Sequence, residues 1–120
     1  MSWYLPPSKT PPTEEEIERF NLLYQNLMER MQPEGEEEIS LAEQVIVAQW
    51  FYRQQNYLWR KTNDQLNALA AAGIPAGPEM RETLSRAAHQ AQLQKNFAFR
   101  RRGKLIRMQR NRISVAPLAA

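Results

Sequence analysis

Eight bases and no acid lie between Lys95 and Arg112, the one stretch whose residue types and spacing suit a defined chemistry. Arg100, Arg101, Arg102, Lys104, Arg107, Arg110 and Arg112 are its candidate phosphate contacts. Cationic side chains at this density bind a phosphate backbone by releasing its condensed counterions. Phe97 and Phe99, interleaved with the bases, offer ring faces on which unstacked bases of a single strand can rest. DNA or RNA is therefore one expected partner. Other chemistry is poorly provided for. The chain has one histidine (His89), one aspartate (Asp64) and no cysteine. A Ser-His-Asp triad would have to use both of those single residues, a zinc site lacks ligands, and there is no glycine-rich phosphate loop. The paired Glu-x-x-His motifs of a di-metal bundle are missing as well. The expectation is a protein that is not an enzyme and that uses no cofactor or metal.

The charge is segregated along the chain. Residues 1–52 carry Lys9, Arg19 and Arg30 against ten glutamates, whereas residues 53–120 carry thirteen bases against Asp64, Glu79 and Glu82. The halves are thus −7 and +10, within a net charge of +3. Two readings of the basic run follow. Either it faces a polyanion, or the acidic half neutralises it inside one molecule or across a dimer.

The elements that must position these residues are helices. Thr13-Glu14-Glu15-Glu16 is a capping box, and Ile17, Phe20, Tyr24, Leu27 and Met31 follow at alternating spacings of three and four. Pro33-Glu34-Gly35 ends this helix in a turn. A second helix begins near Glu36, or at a second capping box, Ser40-Leu41-Ala42-Glu43, and runs without Pro or Gly to about Ala72. At about 100° per residue, Ile39, Ile46, Val47 and Tyr57 gather with Trp50 on one side of it. Leu41, Val45, Ala48, Tyr52, Trp59 and Leu66 gather on the other, so two different neighbours should cover it. Gly73 and Pro78 bracket a turn, and a third helix runs from about Glu79 to Arg112, with Pro117 outside it. In that helix Met80, Leu84, Ala87, Ala91, Gln94 and Ala98 follow coiled-coil-like heptad spacing.

Short turns make such helices antiparallel neighbours. The expected fold is all-α: an elongated antiparallel three-helix bundle with a long central helix, all three helices meeting at a buried Trp50. Residues 1–12 form an extended Pro-rich arm whose Trp3, Tyr4 and Leu5 offer a protein contact; 13–113 form the helical domain and 114–120 a tail. The cluster Trp50, Phe51, Tyr52, Tyr57, Leu58 and Trp59 falls into i, i+7 pairs. It either fills the core or leaves some members exposed as an oligomer interface, and the wide apolar arc predicts a homo-oligomer. No apolar run approaches a membrane span, and with no cysteine the chain suits a cytoplasmic compartment.

Phe20-x-x-Leu23, Leu27, Met31-x-Pro33-Glu34-Gly35, Glu38, Leu41-x-Glu43 and Ala48-x-Trp50-x-x-Arg53 together resemble an uncharacterised family of small helical bacterial proteins. In these, a Pro-Glu-Gly turn joins two amphipathic helices. The resemblance covers about a third of the chain and implies a bacterial helical protein, with no catalytic residue carried over. Many members place a basic segment ending in His-Gly-Leu before the first helix, where this chain has Ser2–Pro12.

Overall fold

A computed structural model describes residues 13–119, with side chains to 113; the arm expected over residues 1–12 lies outside them. Three helices follow in order: α1 (Glu14–Met31), α2 (Gly35–Ala71) and α3 (Pro78–Ala119). They form an elongated antiparallel bundle measuring 71 × 27 × 19 Å, with no strand among the described residues.

Local chemistry sets most of the boundaries. Thr13 is the N-cap of α1, its Oγ1 accepting from the Glu16 amide at 3.2 Å. The helix stops at Met31 because Pro33 disfavours αR at Gln32, which instead turns left-handed at φ 50°. The Gln32 amide still reaches the Met28 carbonyl at 2.9 Å. Gly35 opens α2 at φ 81°, so the box at Ser40 lies inside the helix and starts nothing. The Glu38 carboxylate does that work, accepting from the Glu34 amide at 3.1 Å and satisfying one of the orphan donors of the helix end. At the other end Gly73 adopts φ 73°, the Ile74 amide bonds to the Leu69 carbonyl at 2.9 Å, and the Gly73 amide bonds to that of Ala70 at 3.1 Å. This is a Schellman cap, which only a residue free to take positive φ closes cheaply.

The expected end of α3 at Arg112 needs correction. The helix continues to Ala119, so the segment set aside as a tail is helical from 114 to 119. Residues 113–116 contain neither Gly nor Pro, and Pro117 lies inside the last turn of the helix.

The core lies where the three helices meet. Phe20 and Leu23 of α1, Ile46 and Trp50 of α2 and Leu105 of α3 are all buried there, with Met31, Leu41, Ala42 and Val45 around them. Trp50 is 6% exposed, and its ring meets Phe20 edge-on at 5.4 Å between centroids. Farther along, Ala87, Ala91 and Ala98 are buried, and their small side chains bring α3 close to α2. α1, at 18 residues, is about 27 Å long and covers only half of the roughly 55 Å of α2. The half beyond it explains why Tyr57 is 69% exposed.

Candidate nucleic-acid interface

The antiparallel pairing of α2 with α3 lays the basic run beside the first half of α2. At about 100° per residue, α3 turns Arg100, Arg107 and Arg110 away from the buried Leu105, with Lys104 on their flank about 100° from it; Arg100 also lines a groove beside Glu43 and Phe51 of α2. All four are exposed, and the helix rise spaces neighbours about 4.5–6 Å apart along its axis. None of them lies within 4.0 Å of a carboxylate among the described residues. The acids of α1 do not reach them; the one ion pair on that helix is local, Arg19 to Glu15.

The other three members of the run are placed differently. Arg101 is half-buried, its Cζ 4.9 Å from the Phe97 ring centre, so that Phe97 serves a cation–π contact within the chain. Phe99, by contrast, is 81% exposed. Arg102 turns to the opposite flank of α3, where its Nη1 is buried with no hydrogen-bond partner among the described residues. Arg112 is engaged within the chain. It pairs with Glu34 at 2.7 Å and with Glu38 at 2.9 and 3.3 Å, the internal neutralisation that the charge segregation allowed for one residue of seven.

This Arg112 cluster clamps the α1–α2 turn onto α3, and beside it Gln109 donates to the Met31 and Gln32 carbonyls at 2.6 and 3.2 Å. The Arg112 hydrogen bonds, followed by that from the Glu34 amide, hold the Glu38 carboxyl below the usual carboxylate range, against the opposing effect of burial. A carboxylate with a lowered folded-state pKa adds stability that is present above its unfolded value, about 4.3, and is lost as pH falls through the lowered value. The Tm of the protein is therefore expected to drop on acidification below about pH 4.3 more steeply than that of Glu38→Gln, which has no proton to take up there. Parallel acid melts of the two would contradict this.

A cleft opens at the three-helix junction on the Arg102 flank, with a volume of about 570 Å³. Leu27, Arg30 and Met31 of α1, Val45 and Gln49 of α2, and Lys95, Phe99 and Arg102 of α3 are among its lining residues. Arg30 is the member that sequence reasoning missed. No local signal marks it, because it joins the cleft only through the packing of α1 beside α3.

The aromatic cluster divides. Trp50 is a core residue and not a partner contact, because Phe20 covers it; Phe51, Tyr52 and Trp59 are half-buried, and Tyr57 and Leu58 are exposed. His89 and Asp64 are both exposed and share no hydrogen bond, and no group of three potential metal ligands occurs among the described residues. No helix there is long and apolar enough to cross a membrane. The chain matches no protein-family model, no curated protein and no solved structure.

Proposed function

We propose that this is a non-catalytic, nucleic-acid-associated protein of bacterial, cytoplasmic type, which binds phosphate backbones through the outer face of α3. The observation that carries this reading is that Arg100, Lys104, Arg107 and Arg110, on one exposed face, make no ion pair among the described residues. Structural charge would be expected to find partners in a chain holding ten glutamates in its first half, and here one of the seven candidate bases does so. Contacts of this kind position a protein on a backbone without reading bases. Unrelated oligonucleotides of equal length should accordingly bind with affinities within a few-fold of one another in anisotropy titrations. A strong preference for one sequence would argue for base contacts that this face does not offer.

A second reading is favoured by a separate observation. Leu22 and Tyr57, at 63% and 69% exposure, lie along one groove between α1 and α2, with Leu58 exposed nearby. A structural or adaptor protein would use this face for self-association, most simply as a twofold dimer, or for a protein partner. Light scattering at high concentration is expected to give twice the monomer mass, and Tyr57→Glu to restore the monomer. A strict monomer at every concentration would remove the self-association branch.

A further inference from the structure

The junction cleft combines features that the outer face of α3 lacks. Lys95, Phe99 and Arg102 stand at i, i+4 and i+7, so they share one flank of α3, and Arg30 faces them from the last turn of α1. No carboxylate lines the cleft, whose floor includes Leu27, Met31 and Val45. Arg102 holds a buried Nη1 that finds no acceptor among the described residues, and a buried donor left unpaired is costly. An anionic oxygen in the cleft would accept from it, and charge-assisted bonds of this kind are strong, more so beside an apolar floor. The Phe99 ring projects at the mouth and is 81% exposed, an unusual position for so large an apolar group.

We infer that the cleft seats one nucleotide of a single strand, with its phosphate held by Arg30, Lys95 and Arg102 and its base stacked on Phe99. The inference rests on the nucleic-acid reading above and narrows it to single-stranded DNA or RNA as the preferred substrate class. In a duplex both faces of each base are already occupied by its neighbours, so Phe99 has no ring to meet, and a duplex engages the outer face alone. A single strand engages both, with backbone phosphates on the outer face and one unstacked base in the cleft.

The test is a pair of anisotropy titrations of the full chain, with a labelled oligothymidine and with a duplex of equal length in the same low-salt buffer. Wild type is expected to bind the single strand more tightly. Phe99→Ala should weaken single-strand binding about tenfold or more, as loss of one base–aromatic stack does, while leaving duplex binding unchanged. Phe99→Trp should restore the single-strand affinity, and Arg102→Gln should weaken the single strand more than the duplex. Because Phe99 is exposed, Phe99→Ala should melt with wild type. Equal affinity for both forms, or equal losses on both, overturns the cleft assignment and leaves the outer-face reading standing. Binding of neither form by wild type ends both. A change of oligomeric mass in Phe99→Ala would mean that the ring covers a second copy, and would also overturn it.

Discussion

Truncation of Phe20 to alanine is expected to lower the unfolding free energy by about 3–5 kcal/mol, the usual cost of emptying a buried aromatic site. The side chain is 1% exposed and forms the edge-on contact with Trp50 that joins α1 to α2. Domains of this size hold about 5–15 kcal/mol in all, so this one change removes about a fifth or more of the total. The expected fall in Tm is about 10–25 °C. The effect is large because Phe20 is one of three buried residues among the 18 of α1, with Leu23 and Met31. Chemical denaturation followed by circular dichroism measures it. A loss below about 1 kcal/mol would mean that α1 does not pack on Trp50 as described.

Simultaneous replacement of Arg100, Lys104, Arg107 and Arg110 by glutamine is expected to produce the largest change in binding. Each lost phosphate contact lowers the log–log salt slope by about one, so four together should flatten it by about four and weaken low-salt affinity by about two to four orders of magnitude. The same variant should melt at the wild-type temperature or slightly above it. None of the four makes an ion pair among the described residues, and their i, i+3 and i, i+4 spacings place like charges side by side, which mildly destabilises a helix. This separates the two functional readings. If the run were structural charge, the substitutions would damage folding or assembly and there would be no nucleic-acid binding to lose. Arg112→Gln is the internal contrast, since it breaks the Glu34 and Glu38 pairs and should affect stability with little effect on binding.

The helical fold was legible because its punctuation is strong. Thr13, Pro33, Gly73 and Pro78 each carry a local backbone preference, and the observed ends of α1 and α2 fall beside them. The burial of Trp50 followed from the apolar stripes, whose periodicity states which side of α2 faces each neighbour. The start of α2 was ambiguous because Glu36 and Ser40 both make acceptable beginnings; the helix opens at Gly35, where a carboxylate one turn on, Glu38, accepts from the Glu34 amide and also answers to Arg112. The end of α3 was missed because Pro117 reads as a stop signal, whereas the helix includes it and runs to Ala119. The site was only half legible. Charge density marks residues 95–112, but which base meets which acid depends on rotations of about 100° per residue and on the exact register of α3. Thus Arg112 turns inward to Glu38 while Arg110 remains exposed, and Phe97 is covered while Phe99 is not. The placement of Arg30 in the cleft is purely tertiary, bringing together residues of α1 and α3 far apart in sequence.

The most direct measurement of phosphate binding by unpaired bases is the salt dependence of wild-type affinity for a duplex. The outer face offers four bases, Arg100, Lys104, Arg107 and Arg110, that make no ion pair among the described residues, and at about −0.9 per contact the slope of log affinity against log salt should be about −3 to −4. A slope near zero, or no retention of either DNA or RNA at low salt, would contradict the account.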